Sequence, residues 1–172
     1  MSFLLLLAAT TLVRLPAKNT AVGWEPRFSA IIGTFITLVL IVLPKGEISA
    51  EAKVLAAVII ICGSGLSIYC LYWLGRSFSV MAHARRLVTL GPYSVVRHPL
   101  YAAEMITLLG ITIANFSVLA TLVAATSIAF QFRRMANEER VLRATFPEYE
   151  SYACAVPMIV PARALRWSRQ EG

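Results

Sequence analysis

The stretch Gly91–Gly110, GPYSVVRHPLYAAEMITLLG, places arginine, histidine and proline directly ahead of an apolar run. Pro99 suits the first turn of a helix, where its missing N–H would be unpaired anyway, so a helix is predicted to begin there. Because proline biases the preceding residue toward an extended backbone, we expect His98 and Arg97 to project from the mouth of that helix. Charged groups at a bilayer boundary are costly unless they snorkel, pair or bind a ligand. This stretch is therefore the first candidate for a functional site.

The composition points to the bilayer as the solvent of this chain. Of its 172 residues 58% are hydrophobic, and the mean hydropathy is +0.71. The apolar residues come in long blocks and not with the short period of a soluble amphipathic element. We therefore predict one compact all-α membrane domain over residues 1–172.

Five apolar blocks are long enough to be considered as membrane spans. Pro44 and Gly46 end the second block, and Asn115 marks a tight turn between the last two, which are expected to form a helical hairpin. The first block is short and is interpreted as a retained first helix. The blocks cover residues 2–13, 28–43, 54–75, 100–114 and 117–132.

The basic residues are unevenly distributed over the loops between these blocks. Fourteen lysines and arginines fall in the first loop, the third loop and the tail, whereas only two fall in the other loops. The positive-inside rule then predicts that the N-terminus lies outside, that the C-terminus is cytosolic, and that five helices span the membrane. A bacterial inner membrane and the endoplasmic reticulum both remain open.

The formal net charge of +7 has an explanation in orientation and in attraction to anionic membrane lipids. No basic surface with interleaved aromatic residues is apparent, so a nucleic-acid partner is not expected. The two histidines are widely spaced and no CxxC pair occurs, so no metal site is expected either. The three cysteines are interpreted as small buried residues: Cys62, Cys70 and Cys154.

A second polar cluster, RRMANEERVLRATFPEYESY, follows the last apolar block and is predicted to face the same cytosolic side as the RHP stretch. Arg134, Glu138 and Leu142 share one helical face. Glu139 and Arg143 stand in the favourable i, i+4 order for an ion pair, which accounts for Glu139 without a ligand. Glu138 is therefore the better candidate for binding.

Two further features, the segment after Pro147 and Glu104, leave their roles open at this stage. Pro147 is expected to break the helix, after which VPMIVP (residues 156–161) lies in the headgroup region or closes over the site. Glu104 shares a helical face with Tyr101; it either pairs with Arg97 or His98 or belongs to the site.

Small residues in the third block are predicted to let membrane helices approach closely. They are Gly63, Ser64, Gly65 and Ser67. No strand precedes them and no phosphate-binding spacing is present, so helix packing is the favoured interpretation.

The combination LVTLGPYSVVRHPLY and RRMANEERVLRATFPEYESYACAVP, with LYWLGRSFS upstream, resembles the isoprenylcysteine carboxyl methyltransferases and the related phospholipid N-methyltransferases. The resemblance covers about residues 70–161. It implies S-adenosylmethionine as cofactor, bound at the cytosolic mouth of the last two spans. It also implies a lipophilic acceptor, small or prenylated, that enters from the bilayer. The chain then divides into N-terminal spans (1–75), a cofactor-binding core (76–161) and a basic tail (162–172).

Carried over position by position, the resemblance implies a set of pocket residues. Arg134 would hold the methyl acceptor and act as the catalytic residue, and Arg86 and Arg97 are counted among the cofactor-binding residues. The other residues that would line the cofactor pocket are Leu87, Val88, Tyr93, His98, Pro99, Leu100, Tyr101 and Glu138.

The residue types agree with this chemistry independently. The donor has a carboxylate that needs a cation such as Arg97 or His98, and an ammonium that needs an anion such as Glu138. A carboxylate acceptor such as prenylcysteine is ionised at neutral pH and needs no base, whereas an amine must arrive neutral, with His98 or Glu104 as candidate base.

Other functions remain open from the sequence alone. Phospholipid or small lipophilic acceptors fit as well as a prenylcysteine carboxylate. Two alternatives are less favoured. One is an NADPH-dependent sterol-type reductase, in which Arg85 and Arg86 could bind the 2′-phosphate, and the other is a non-enzymatic membrane scaffold.

Overall fold

The computed structural model describes residues 19–20, 40, 46–75, 83–84 and 87–161 of the chain. Within them the protein is helical apart from one short strand pair. The helices are α1 (Ala50–Leu74), a 3-10 helix (Gly91–Ser94), α2 (Pro99–Ala114), α3 (Val118–Thr145) and α4 (Tyr149–Ala155). The strands β1 (Asn19–Thr20) and β2 (His83–Ala84) pair antiparallel.

Helix α1 begins at a cap that the sequence provides locally. Ser49 accepts a hydrogen bond of 3.2 Å from the backbone N–H of Ala52, which satisfies one of the free donors of the first turn. The helix ends at Gly75, whose φ of 49° is a conformation that glycine adopts readily. Its 25 residues span about 38 Å, enough to cross a hydrocarbon core of about 30 Å. Among the described residues it is the one helix long and apolar enough to do so.

Helices α1 and α2 pack closely because small residues face each other. A Cβ atom on Gly63 would lie 2.7 Å from the backbone nitrogen of Thr107 and 3.1 Å from the carbonyl oxygen of Ala103. A Cβ atom on Gly110 of α2 would in turn lie 3.0 Å from the carbonyl oxygen of Ala56 on α1. The packing role predicted for Gly63 is confirmed, whereas the position of Gly65 is open, with no atom within 4 Å of its Cβ direction.

Helices α2 and α3 form the hairpin that the sequence predicts. Asn115 ends α2, and its side chain donates to the carbonyl of Ile111 at 2.8 Å. Ser117 then caps α3 by accepting from the backbone N–H of Ala120 at 3.1 Å. Below the turn the two helices share an apolar cluster, which contains Leu40, Leu108, Ala120 and Ala124.

Helix α3 continues well beyond its apolar half and carries the second polar cluster. It stops at Thr145, before Pro147, as predicted. The chain then turns into the short α4, and buried Val141, Phe146 and Tyr149 form a second apolar cluster. That cluster fixes α4 against the polar end of α3.

Of the five predicted spans, the third, fourth and fifth correspond to α1, α2 and the first half of α3. The segments 2–13 and 28–43 lie outside the described residues apart from Leu40, so the five-span count and the orientation stay predictions. The interpretation of the cysteines was wrong in two places. Cys70 is buried, whereas Cys62 and Cys154 are exposed, because their positions on α1 and α4 face away from the neighbouring helices.

Candidate functional site

The RHP motif lies at the mouth of the α2–α3 hairpin and pairs with α3. Glu139 Oε1 lies 3.0 Å from Arg97 Nη2 and 3.3 Å from His98 Nε2. All three side chains are largely buried, with exposed fractions of 12% for Arg97, 4% for His98 and 13% for Glu139. The ion pair is therefore shielded from solvent, and it joins two motifs that are 41 positions apart.

The role predicted for Glu139 was incomplete. Arg143 does approach Glu139 at 3.6 Å, but it also pairs with Glu150, and the closer partners of Glu139 are Arg97 and His98. The hydrogen bond with His98, followed by the charges of Arg97, His98 and Arg143, holds the pKa of Glu139 below its usual range. Glu139 thus stays ionised as the counter-charge of the RHP motif.

A second polar layer lies one turn deeper between α2 and α3. The Tyr101 hydroxyl donates to Glu138 Oε2 at 3.2 Å, and the Arg134 guanidinium lies over the Tyr101 ring at 5.4 Å from its centroid. Glu104 interacts electrostatically with both Arg134 and Glu138. Arg134 and Glu138 therefore share the face of α3 that meets α2, as the spacing predicts, and Glu104 belongs to this layer and not to a pair with the RHP motif.

The C-terminal segment runs back along the RHP motif. The backbone N–H groups of Arg97 and His98 donate to the carbonyls of Pro157 and Met158 at 2.9 and 3.0 Å. Arg97 Nη1 also donates to the carbonyl of Ala153 at 2.8 Å. Of the two placements left open for VPMIVP, the structure supports the one in which it closes over the motif.

Tyr93 ties the loop before α2 into the same assembly. Its ring is buried, and burial raises the pKa of its phenol far above the usual range, so the hydroxyl stays protonated. Its backbone carbonyl accepts a hydrogen bond of 2.6 Å from the Tyr152 hydroxyl. At the start of this loop Gly91, with φ of 63°, packs directly against the Trp73 indole, where a side chain would not fit.

Most of the predicted site residues meet in this region. The structure places Tyr93, Arg97, His98, Pro99, Leu100, Tyr101, Arg134 and Glu138 at the α2–α3 mouth. Leu87 packs against the second apolar cluster, as Tyr152 does, and Val88 is partly buried next to it in the chain. Arg86 lies outside the described residues.

His98 departs from the predicted backbone conformation. Its φ of −123° is extended, but its ψ of 57° falls short of the extended range. This backbone conformation brings the His98 imidazole against the Tyr101 ring, edge to face with 5.6 Å between ring centroids. It also points the imidazole toward Glu139. His98 therefore points into the hairpin mouth and not away from it.

Among the described residues, the buried donors without a hydrogen-bond partner include the Tyr93 hydroxyl, Arg97 Nε and the Tyr149 hydroxyl. An unsatisfied buried donor costs about 1–3 kcal/mol, so such atoms point to a bound acceptor group. The carboxylate of Glu138 lies near Tyr93, and Leu100 is buried at the start of α2. These groups offer a cation for a carboxylate, an anion for an ammonium and apolar walls for an adenine, and so they fit S-adenosylmethionine.

Within the described part of the chain, no group of three or more histidine, cysteine, aspartate or glutamate side chains is placed to hold a metal ion.

Sequence reasoning missed the contacts that join Arg97 to Glu139 and to Ala153. Glu138 and Glu139 are neighbours on α3 and point about 100° apart around its axis. The sequence signal for choosing between them was local, the i, i+4 pair with Arg143, and it described only the weaker contact of Glu139.

The sequence of this chain is similar to known proteins. A family model described as phospholipid methyltransferase matches residues 52–149. The cobalt-zinc-cadmium resistance protein CzcN of Cupriavidus metallidurans is 38% identical over 80 residues, which cover 46% of this chain and 37% of that protein. The nickel-cobalt-cadmium resistance protein NccN of Alcaligenes xylosoxydans xylosoxydans is 37% identical over 82 residues, 46% of this chain and 38% of that protein. The chain thus spans less than two fifths of the length of either relative.

Proposed function

We infer, because this chain belongs to the phospholipid methyltransferase family, that it transfers a methyl group from S-adenosylmethionine to a lipophilic acceptor at the membrane. The observation that carries the inference is the contact between Tyr101 and Glu138. It joins the two polar motifs within the matched range and beside a helix that is apolar enough to span the bilayer.

Different residues at the mouth of the hairpin would bind different parts of the methyl donor, S-adenosylmethionine. Arg97, through its unpartnered Nε, is the group that would receive the carboxylate, and Glu138 would receive the ammonium. Tyr93 and Leu100 would provide walls for the adenine. When bound, S-adenosylmethionine supplies a methyl group on a sulfonium, which is already an activated leaving group.

The contribution of the protein to such a transfer is positioning and the exclusion of water. The segment Ala153–Met158 covers the RHP motif through three hydrogen bonds to Arg97 and His98. The α2–α3 hairpin holds Tyr101, Arg134 and Glu138 in one layer below it. A methyl acceptor that entered from the bilayer would meet this layer from the apolar side.

The acceptor that we favour is a carboxylate such as that of a prenylcysteine. The planar guanidinium of Arg134 can grip a carboxylate with two parallel hydrogen bonds, and its stacking over Tyr101 limits its orientation. A carboxylate is ionised at neutral pH, so no base is needed to activate it.

A phospholipid or other lipophilic amine is the second candidate, and one observation favours it. Glu104 interacts electrostatically with Arg134 and with Glu138, so two carboxylates surround one guanidinium in this layer. Such a layer accommodates a cationic or hydrogen-donating head group, and Glu104 would then be a candidate base.

Ligand binding by the purified protein in detergent tests the class of reaction. Calorimetric titration with S-adenosylhomocysteine is expected to show saturable binding, and titration with NADPH is expected to show none. Binding of NADPH alone would point to a reductase, and binding of neither ligand to a scaffold.

Methyl transfer from a labelled donor identifies the acceptor. Parallel incubations with a farnesylcysteine analogue and with phosphatidylethanolamine vesicles are expected to label the carboxylate substrate preferentially. Label in the phospholipid alone would select the amine candidate instead.

A further inference from the structure

We propose that Glu139 is a positioning residue, which binds no part of the methyl donor and instead orients Arg97 to receive the donor's carboxylate. The proposal rests on the function proposed above and deepens it. It assigns different roles to two adjacent glutamates, Glu138 and Glu139, that the sequence motif presents as a pair.

The first support is the set of contacts that Glu139 makes. Its Oε1 is shared between Arg97 Nη2 at 3.0 Å and His98 Nε2 at 3.3 Å, and its Oε2 lies 3.6 Å from Arg143 Nη2. Both oxygens therefore already face cations of the protein, and the side chain is largely buried. A carboxylate in this position has little capacity left for the ammonium of a ligand.

The second support is the way in which Arg97 is held. Its Nη2 faces Glu139 and its Nη1 donates to the carbonyl of Ala153 at 2.8 Å. Its backbone N–H donates to the carbonyl of Pro157 at 2.9 Å. The guanidinium is thus fixed from two sides, by an ionic contact on α3 and by the C-terminal segment. Because a guanidinium is planar, fixing both Nη atoms also fixes the direction of Nε.

The third support is the free donor that this arrangement leaves. Arg97 Nε is buried and has no hydrogen-bond partner among the described residues. A donor of this kind is expected to meet an acceptor that is not part of the protein. The carboxylate of the methyl donor has the matching charge and geometry.

Glu138 provides a matched comparison on the same helix. Its Oε2 accepts from the Tyr101 hydroxyl at 3.2 Å, and among the described residues no ion pair is formed by its carboxylate. Its remaining acceptor capacity can therefore be offered to an ammonium. The two glutamates should then respond to different parts of the same ligand.

Two ligands separate these roles. S-adenosylhomocysteine carries both the carboxylate and the amine, and its decarboxylated analogue, S-adenosyl-3-thiopropylamine, keeps the amine alone. Calorimetric dissociation constants are measured for both ligands on wild type, Glu138→Gln, Glu139→Gln and Arg97→Lys. The exposed Glu47→Gln serves as control for the loss of one negative charge.

The expected result is a difference in pattern. Glu139→Gln and Arg97→Lys should weaken S-adenosylhomocysteine binding about ten- to hundredfold and the decarboxylated analogue by no more than about threefold. Glu138→Gln should weaken both ligands by a similar factor. Glu47→Gln should leave both dissociation constants unchanged.

Equal weakening of both ligands by Glu139→Gln would overturn the proposal, because it would mean a direct contact with the amine or a loss of general structure. If Glu139→Gln does not accumulate in the membrane, Glu139→Asp replaces it, since it keeps the charge but shortens the reach of the carboxylate to Arg97. It should likewise weaken S-adenosylhomocysteine binding more than binding of the decarboxylated analogue. Absence of binding by the wild type to either ligand would instead contradict the proposed function.

Discussion

The Tyr152 hydroxyl donates a hydrogen bond of 2.6 Å to the backbone carbonyl of Tyr93, which lies 59 positions earlier in the chain. This bond ties α4 to the loop that precedes the RHP motif. Burial raises the pKa of Tyr152 to about 12, so the phenol remains a donor throughout the physiological range.

Removal of this hydroxyl is expected to loosen the C-terminal segment. Tyr152→Phe removes the donor from the part-buried carbonyl of Tyr93 and should lower the free energy of unfolding by about 0.5–1.5 kcal/mol. Thermal unfolding of the detergent-solubilised protein measures the loss. Tyr72→Phe, at an exposed position of α1, is the control and should unfold like the wild type. Identical midpoints for both variants would show that the bond does not stabilise the fold.

The ion pair of Glu139 predicts a dependence of stability on pH. Because the pKa of Glu139 is held below its ordinary value of 4.5, the unfolded chain binds the proton first as the pH falls. The stabilising contribution is therefore complete above pH 4.5 and is lost below it, through the lowered pKa of the folded state. Wild type should unfold at a higher temperature than Glu139→Gln at pH 7, and the gap should narrow below pH 4.5. A gap that is constant from pH 7 to pH 3.5 would contradict this assignment.

The close approach of α1 and α2 predicts opposite effects at two glycines of one helix. Gly63→Ala places a methyl group against the backbone of Thr107 and should destabilise the protein by about 1–3 kcal/mol. Gly65→Ala meets no atom within 4 Å and should be neutral or stabilising by up to about 1 kcal/mol, because alanine favours the helix. Thermal unfolding of the two variants compares them directly, and equal destabilisation would mean that the helix interface is misplaced.

The predicted orientation can be tested with a native cysteine. Cys154 is exposed on α4 and should react with a membrane-impermeant maleimide only when the cytosolic side is accessible. A cysteine introduced by Phe116→Cys, at the exposed tip of the α2–α3 turn, in a Cys62→Ser, Cys154→Ser background should react in intact cells. Labelling of Cys154 in intact cells would reverse the orientation.

Arg134 predicts a separation between donor binding and turnover. Arg134→Lys keeps the charge but loses the planar fork, so a carboxylate acceptor should react more slowly and with a higher KM. The dissociation constant of S-adenosylhomocysteine should barely change, because the acceptor contacts and not the donor contacts are altered. Arg133→Lys, at the exposed neighbouring position, is the control. Loss of donor binding in Arg134→Lys would remove Arg134 from its proposed role.

The sequence by itself determined several boundaries of the described helices, and those at Pro99, Asn115 and Pro147 were predicted. Ser49, Pro99, Ser117 and Pro147 mark boundaries of α1, α2 and α3, and each acts through hydrogen bonds or sterics within a few positions of itself. The spacing of Arg134 and Glu138 likewise placed both on one face of α3, since helical periodicity depends only on the local backbone. These features could be read without knowledge of the fold.

The tertiary structure alone decided which glutamate meets which motif. The rotation of α3 about its axis is set by its packing against α2 and by the apolar contacts of Tyr149 and Phe146, not by any local pattern. That rotation brings Glu139 to Arg97 and Glu138 to Tyr101. The contrast between Gly63 and Gly65 has the same origin: chemically identical residues on one helix differ only in the face that another helix covers. Contacts across 37 or more positions depend on how helices dock, which the periodicity of a single helix does not contain.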